Sequence, residues 1–528
     1  MDFCSRLAVV VIFHVLYLVS QTQVDGTSDY GILSLQQILP LNIDTLDEVY
    51  KPFDDRYKRI CFVDRASFTR PGRGRYKPSF LTGILCTHLV YAFATISIEN
   101  GEIVPFNENV AEEEGFYRQL VDLKRYTPRL KVMISIGGWA VGSLPFHMMA
   151  SDQNKILHFT RSVGGFLNKY GFDGVDINWC YPGSLGSPYT DRLKYIELMS
   201  ALYINFWANE AMGNEKRILS ATVPAGRWII DRGFDIEALR NWVDFINIMA
   251  YDYHGSWEYS PTGIHNALNP RTKDPAQEFN AKWTVEYYIK NGFDPVNINL
   301  GIPLYGRTFH LANDFQFGVG APSTGAGPKF GPYSRASGML GFNEICPMLL
   351  EETGYTLIWH EEHQVPYFYN RQTGEWVSFE CPISSARKAL YVEERGLGGL
   401  MFFSIDSGDF DGTFCNFGIQ PIVVSTIIIS YYNKSMAFIE HLYNFTRHSS
   451  YDETDDLRPP CDFSDHGFTC SPDPNGIYPH PCPYQCDKWI HCSHNIPYIK
   501  DCPLGQYFIN ETRRCDWPWL TQCPRSFT

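Results

Sequence analysis

A short apolar segment of the chain carries side chains that could do chemistry. In the stretch FDGVDINWC, polar residues occupy every second position: Asp176, Asn178 and Cys180. Because successive side chains of a β-strand point to opposite faces, a strand here directs all three to one side. The stretch INIMAYD repeats this spacing with Asn247, Met249 and Tyr251. Two such rows, facing each other, would line one pocket that contains a carboxylate, an amide and a thiol.

The thiol of Cys180 has two interpretations. A nucleophilic thiolate requires a neighbouring base or a positive charge. Arg307 could lie across the pocket, but the sequence places no histidine beside Cys180, and His254 is better explained as structural. We therefore favour Cys180 as a small side chain that fills space.

Eight short runs of β-branched and aromatic residues must position these groups. They cover residues 59–64, 87–96, 131–139, 172–179, 217–225, 243–252, 296–306 and 398–406. Apolar strands that alternate with helices predict the α/β class and a TIM (β/α)8 barrel over residues 57–432. A doubly wound open sheet is the alternative. The stretch at about 307–390 has its own strand-like pieces and predicts a small α+β insertion.

Composition and charge limit the classes of partner that this chain is expected to bind. The chain has 528 residues, which favours two domains with connectors. Its 44 basic and 58 acidic residues give a net charge of -14 without a dense basic run, so nucleic acid and anionic membrane surfaces are excluded as expected partners.

The N-terminal residues resemble a secretory signal. One arginine precedes an apolar run too short to span a bilayer comfortably, so we assign residues 1–24 to a signal peptide, with a signal anchor as the alternative. Residues 25–56 predict a loosely ordered N-terminal extension, and the polar, acidic residues 433–460 predict a linker. Secretion would make three sequons usable for glycosylation, at Asn433, Asn444 and Asn510.

The cysteines mark a second domain. Of the 15 cysteines, eight lie between Cys461 and Cys523. This density predicts a small secreted domain at 461–525 that disulfides hold together. A zinc site is the rival interpretation, which secretion disfavours.

Five motifs resemble, in order and spacing, the strand motifs of family 18 glycoside hydrolases, the chitinases and chitinase-like lectins. They are SIGGW, FDGVDINWC, MAYDYHGSWE, LGIPLYGR and GLGGLMFFSID. The resemblance covers roughly residues 57–432 and implies a TIM barrel with an α+β insertion and a cleft for N-acetylglucosamine polymers. It also implies the disulfides Cys61–Cys86 and Cys346–Cys415, which leave Cys180 and Cys381 unpaired.

The resemblance further implies a set of sugar-binding residues in this cleft. Residues that stack on sugar rings or hydrogen-bond the sugar would be Trp139, Met249, Tyr251, Asp252, Trp257, Tyr305 and Arg307. Phe403 stands where the family has the tryptophan floor of the deepest subsite, and Ala66 stands where many members have a distal stacking tryptophan. For each aromatic side chain, packing in the barrel is the alternative role.

The sequence departs from the family at the catalytic motif, Asp-Gly-x-Asp-x-Asp-Trp-Glu. Asp173 and Asp176 are kept, Asn178 replaces the inner carboxylate, and Cys180 replaces the acid. In the family the glutamate protonates the leaving oxygen while the acetamido group of the sugar attacks. A thiol with a reference pKa of about 8.5 is a poor proton donor to that oxygen. An amide offers no negative charge to a developing cation.

This departure predicts a chitin-binding, chitinase-like protein without hydrolytic activity. The alternative is a chitinase with low or residual activity, and a third option keeps the barrel as a scaffold for a protein partner. We expect a secreted, extracellular monomer that binds chitin or N-acetylglucosamine oligomers and uses no cofactor or metal.

The C-terminal cysteines resemble the pattern of a peritrophin-A type chitin-binding domain. The resemblance implies the pairs Cys470–Cys492, Cys486–Cys523 and Cys502–Cys515, and Cys461 and Cys482 could then pair with each other. Spacing alone does not choose among the many connectivities that eight cysteines allow. Candidates for a sugar-stacking face are Trp489, Tyr498, Phe508 and Trp517.

Overall fold

The computed structural model describes most of the barrel region and the strands of the C-terminal region. The described residues are 57–80, 85–107, 109–258, 260–351, 354–415, 418–432, 477–479, 488–493, 496–501, 507–509 and 514–516. The predicted signal peptide, N-terminal extension and linker lie outside them. Contacts divide the chain into two compact units, Met1–Tyr451 and Asp452–Thr528.

Seven of the first eight strands of the first unit are parallel, and the remaining one is short and antiparallel. The first eight strands in chain order are β1 (Lys58–Asp64), β2 (His88–Ile96), β3 (Ile103–Pro105), β4 (Lys131–Gly137), β5 (Gly174–Asn178), β6 (Ile218–Val223), β7 (Phe245–Ile248) and β8 (Ile298–Pro303). Of these, β3 is the antiparallel strand and pairs with β2. The others pair in the order β1, β2, β4, β5, β6, β7, β8.

An antiparallel sheet follows β8 and forms the insertion. Its strands are β9 (Tyr305–His310), β10 (Met339–Gly341), β11 (Thr356–His360), β12 (Val365–Asn370) and β13 (Glu375–Ser378). They pair in the order β10, β9, β13, β12, β11. The single predicted run 296–306 is therefore two strands. Pro303 has no N–H for the barrel ladder, and the Leu304 N–H donates to Phe403 O at 2.8 Å where the chain leaves the barrel.

The last barrel strand, β14 (Gly399–Phe403), pairs in parallel with both β8 and β1. Among the described residues, eight parallel strands thus close into a barrel, which confirms the predicted TIM fold. The alternative of an open, doubly wound sheet is wrong, because β1 has a parallel neighbour on each side.

Helices surround the barrel in the intervals between strands. Those of the described residues are α1 (Val110–Asp122), α2 (Leu144–Met149), α3 (Gln153–Tyr170), α4 (Asp191–Ala211), α5 (Arg227–Gly233), α6 (Ile236–Leu239), α7 (Ala281–Lys290), α8 (Phe342–Glu351), α9 (Pro382–Arg395) and α10 (Pro421–Tyr432). None of these helices is both long and apolar enough to cross a membrane.

The residues that begin and end helix α3 determine where the chain enters strand β5. The Asp152 carboxylate accepts a hydrogen bond from Lys155 N at 3.0 Å and caps the start of the helix. Gly171 ends it with φ 80°, a left-handed conformation that suits glycine. The chain turns there and enters β5 at Gly174.

Apolar side chains pack on both sides of the barrel strands. Apolar side chains from the strands fill the barrel interior, among them Ile60, Phe62, Val90, Met133, Phe245 and Met401. A larger apolar cluster lies between the strands and the helices. Because the interior is packed with side chains, only the end of the barrel is left for a ligand.

The cysteines of the two expected barrel pairs form disulfides. Cys61 and Cys86 join β1 to the segment before β2, with Cα atoms 5.9 Å apart. Cys346 and Cys415 join α8 to the loop after β14, with Cα atoms 5.5 Å apart. Cys180 and Cys381 are buried and form no disulfide within the described part of the chain.

The C-terminal unit contains two small antiparallel sheets. One consists of β15 (Ile477–Pro479), β16 (Lys488–Ser493) and β17 (Ile496–Asp501), and the other of β18 (Tyr507–Ile509) and β19 (Arg514–Asp516). Trp489, Tyr498 and Phe508 lie on β16, β17 and β18. Trp517 and the three sequons lie outside the described residues, as does at least one cysteine of each predicted pair in this unit, so these assignments stay predictions.

A glycine-to-alanine substitution tests the close packing of β5. A Cβ atom on Gly174 would lie 2.3 Å from the carbonyl oxygen of Ile218 on the neighbouring strand. We expect Gly174→Ala to lower the free energy of unfolding by about 1–3 kcal/mol in urea denaturation, because the strands must separate. The matched control is Gly115→Ala in α1, where a Cβ atom has open space and alanine favours the helix by about 0.5–1 kcal/mol. Equal stability of the two variants would contradict the packing.

Candidate functional site

The carboxylate of Asp176 forms the base of the site. It is fully buried and accepts hydrogen bonds from the adjacent strands β4 and β6 and from β7, with the donors Ser135 Oγ (2.7 Å), Ser220 Oγ (2.7 Å), Thr222 Oγ1 (2.9 Å) and Asn247 Nδ2 (3.4 Å). Burial raises the pKa of Asp176, and the hydrogen bonds oppose this shift. The strand register explains the arrangement, since Ser135 and Ser220 are the direct partners of Asp176 in the sheet.

Asn178 is the last residue of β5 and lies above Asp176, and Cys180, two residues beyond the end of the strand, lies on the same side, as the alternation predicts. Both side chains are buried, and the Cys180 thiol donates a hydrogen bond to Asn178 Oδ1 at 3.2 Å. The two replaced positions of the family motif are thus direct partners.

The thiol of Cys180 is held in its protonated form. Burial raises its pKa to about 12; a hydrogen bond with Tyr181 opposes this shift and the charge of Asp176 adds to it. His254, the histidine weighed as a base, instead pairs with Glu258, with 2.9 Å between Nδ1 and Oε2. The environment of Cys180 therefore does not favour a thiolate nucleophile.

Asp252 and Arg307 form an ion pair at one side of the site. Arg307 Nε and one terminal nitrogen reach the two carboxylate oxygens at 2.7 and 2.6 Å, and Tyr305 OH donates to Oδ1 at 2.9 Å. Burial alone would raise the pKa of Asp252, but the neighbouring His265 ring and the hydrogen bonds from Arg307 hold it well below its usual range. The guanidinium also lies 5.1 Å from the ring centroid of Trp257, which fixes that indole at the rim.

His265 belongs to this cluster, although sequence reasoning missed it. Its ring is fully buried, with Nδ1 3.5 Å from Asp252 Oδ1. Burial lowers the pKa of His265 to about 4, and the interaction with Asp252 opposes this shift only in part. The residue lies in the long connection between β7 and α7, where strand alternation gives no signal of its direction.

Aromatic rings form the floor of the site. Phe403, at the end of β14, lies 6.2 Å from the ring of Tyr251 and 5.7 Å from that of Phe62. Phe93, which the sequence motifs did not single out, lies 6.4 Å from Phe403. Met249 packs against the same cluster. The floor therefore remains aromatic with phenylalanine in place of tryptophan.

The remaining predicted residues lie apart from this floor. Trp139 is largely exposed at the rim after β4, and its nearest aromatic contact is Tyr181, with 6.5 Å between ring centroids. Asp173 lies at the opposite end of β5. Its carboxylate accepts hydrogen bonds from Val132 N at 2.7 Å and Lys124 Nζ at 2.8 Å, so its place is structural.

The geometry allows binding without proton transfer. The site offers an aromatic floor, a fixed ion pair with directed hydrogen-bonding groups, and exposed indoles at the rim. Where the family motif has a carboxylic acid, it offers a protonated thiol bound to an amide. Among the residues that the structure describes, no cluster of histidine, cysteine and carboxylate side chains could hold a metal ion.

Comparison with known families gives two matches. Residues 58–408 match the model of glycosyl hydrolases family 18. Residues 470–523 match the model of the chitin binding Peritrophin-A domain.

Individual proteins agree with this result. The chain is 32% identical to mouse chitotriosidase-1 over 469 residues, which cover 87% of this chain and 95% of that protein. A structure of the Ostrinia furnacalis Group II chitinase catalytic domain 2 is 31% identical, with a TM-score of 0.66, and the match covers 71% of this chain and 96% of that one. Human YKL-39, described as a pseudo-chitinase with retained chitooligosaccharide binding properties, is 32% identical, with a TM-score of 0.66 and coverage of 71% and 100%.

The family matches and the closed barrel lead to the same assignment. The relatives include proteins named as chitinases and one named as a pseudo-chitinase, so the family alone does not decide activity. The chain belongs to glycosyl hydrolases family 18 and carries a C-terminal chitin-binding domain of the peritrophin-A type.

Proposed function

We propose that this protein is a secreted chitin-binding lectin that holds chitin or N-acetylglucosamine oligomers without hydrolysing them. The observation that carries the proposal is the pair Cys180–Asn178, a protonated thiol bonded to an amide at the family's acid position.

The first reason for the proposed loss of hydrolysis is that the Cys180 thiol is a poor proton donor. A general acid works best when its pKa lies near the operating pH, and its loss typically costs about 10²- to 10⁴-fold in rate. The Cys180 thiol, with a pKa raised to about 12, holds its proton too tightly. Its stem is also shorter than that of glutamate, so its sulfur sits farther from a glycosidic oxygen in the cleft.

The second reason is that Asn178 does not stabilise the positive charge that develops on the sugar. The family places a carboxylate at position 178 next to the cation that develops on the sugar. Asn178 presents an amide oxygen that already accepts the hydrogen bond of Cys180. A neutral amide supplies much less electrostatic stabilisation to a developing positive charge than a carboxylate does.

Binding depends on other groups. Interactions with the substrate in its ground state do not require the residues that act in the transition state. The ring of Phe403 over Tyr251 and the Asp252–Arg307 pair are in place. Human YKL-39, the related pseudo-chitinase, retains chitooligosaccharide binding, which supports the same separation here.

The C-terminal domain supplies a second chitin contact under this proposal, with Trp489, Tyr498, Phe508 and Trp517 as its stacking residues. The family match of this domain and the similarity of the chain to a pig protein named oviduct-specific glycoprotein support secretion. Residual hydrolysis is the second candidate function, favoured by the retained Asp176 and by relatives that are named chitinases.

Restoring the family motif tests the loss of catalysis. We expect the double variant Asn178→Asp, Cys180→Glu to hydrolyse a fluorogenic chito-oligosaccharide at least about 100-fold faster than wild type, because it regains the acid and the charge. The single variant Asn178→Asp is the control and stays inactive. Wild-type hydrolysis well above background that Cys180→Ala abolishes would refute the lectin proposal.

The pH dependence of alkylation tests the state of the thiol. Only the thiolate reacts, so with a pKa of about 12 the rate at Cys180 rises tenfold per pH unit from pH 7 to pH 10 without a plateau. The measurement uses iodoacetamide and peptide mass spectrometry in a Cys381→Ser background. Urea-unfolded protein is the control and levels off near the reference value of about 8.5. A plateau near that value in the folded protein would show an ordinary thiol.

Removal of a rim indole tests binding. We expect Trp257→Ala to weaken the affinity for N-acetylglucosamine oligomers about 3- to 10-fold in calorimetry, because a stacking surface is lost. Tyr126→Ala is the matched control, since this exposed ring lies before β4 at the other end of the barrel. Equal losses in both variants, or in neither, would contradict a binding role for Trp257.

A further inference from the structure

Four tryptophans of the described residues expose at least half of their surface. The exposed fractions are 71% for Trp139, 63% for Trp207, 62% for Trp228 and 52% for Trp257. Indoles are usually buried for most of their surface, so an exposed one needs an explanation.

The topology separates these indoles into two groups. Trp139, Trp228 and Trp257 follow the carboxyl ends of β4, β6 and β7, the end of the barrel that holds the site. Trp207 lies on α4, about 24 Å from its first residue at about 1.5 Å per residue, and therefore near the other end of the barrel.

Trp228 is held in a fixed place by its surroundings. It lies in the first turn of α5, and the guanidinium of Arg232 lies 5.0 Å from its ring centroid. Arg232 Nε in turn donates to Gly183 O at 3.0 Å, in the loop that follows Cys180. An anchored cation thus lies against one face of the indole, while 62% of the residue surface is exposed to solvent.

The loop after β5 and helix α5 are in close backbone contact. A Cβ atom on Gly183 would lie 2.6 Å from Arg232 O, and one on Gly233 would lie 2.2 Å from Pro182 O. The segment that carries Trp228 is therefore fixed directly against the segment that carries Cys180. A rigid aromatic face costs little entropy when a ligand stacks on it.

From this geometry we infer that Trp228 is a further stacking platform for a β-linked N-acetylhexosamine chain. It contacts a sugar unit that lies outside the aromatic floor, in oligomers long enough to leave the deepest part of the cleft. Strands β4 and β6 lie on the two sides of β5, about 10 Å apart, so the segments that carry Trp139 and Trp228 leave the barrel on either side of the strand that carries Asn178. The inference rests on the proposed function, since it needs a cleft that binds such oligomers.

Oligomer length separates this role from a general effect on the cleft. The full chain is titrated by calorimetry with the N-acetylglucosamine trimer and hexamer, as wild type, Trp228→Ala and Trp207→Ala. We expect Trp228→Ala to bind the hexamer about 3- to 10-fold more weakly than wild type and the trimer equally well. Trp207→Ala is the matched control, because it removes an indole of similar exposure. We expect its affinity for both oligomers to equal that of wild type.

The other outcomes are also decisive. Unchanged hexamer affinity in Trp228→Ala, with trimer binding intact, overturns the platform and leaves the proposed function standing. An equal loss for trimer and hexamer also overturns it, because Trp228 then acts through the shape of the cleft. Failure of the wild type to bind either ligand refutes the proposed function itself. Thermal unfolding of both variants controls for folding, and Trp228→Phe, which keeps an aromatic face, recovers part of the hexamer affinity.

Discussion

A carboxylate buried inside the barrel is the constraint on which the site depends. An unpaired charge in such a place would cost several kcal/mol, and hydrogen bonds from strands β4, β6 and β7 offset this cost for Asp176. These bonds require Ser135, Asp176 and Ser220 to lie at one level of the sheet. The level of Asn178 follows from it, because Asn178 lies two residues farther along β5, and Cys180 comes two residues after the end of that strand. The frame of the cleft is therefore set independently of the residues that would perform catalysis.

This independence explains how chemistry and binding can separate. The ion pair of Asp252 and Arg307 is held by its own partners, Tyr305 and His265, on the insertion and on the connection after β7. The floor is held by packing of Phe403 against Tyr251. Neither assembly uses the side chains of Asn178 or Cys180. Replacement of those two side chains removes the proton donor and the charge and leaves the other two assemblies in place.

Much of this arrangement could be predicted from the sequence, because side chains at every second position of a β-strand share a face. The alternation placed Asp176, Asn178 and Cys180 together, and eight apolar runs predicted the closed barrel. Asp173 was grouped with the motif because the family resemblance includes it, although it lies just before β5, at the opposite end of the strand from Cys180. Alternation also gives no direction outside strands, which is why His265, in a loop, and Arg232, on helix α5, could not be found. The division of the run 296–306 depended on pairing partners that are distant in the sequence.

The hydrogen bond between Cys180 and Asn178 has a consequence for how the cleft selects ligands. The two side chains are uncharged, and the carboxylate of Asp252 is already neutralised by Arg307. Recognition then rests on ring contacts and hydrogen bonds at short range, which dissolved ions screen far less than exposed charges. Occupancy of the cleft by a neutral sugar would vary little with ionic strength.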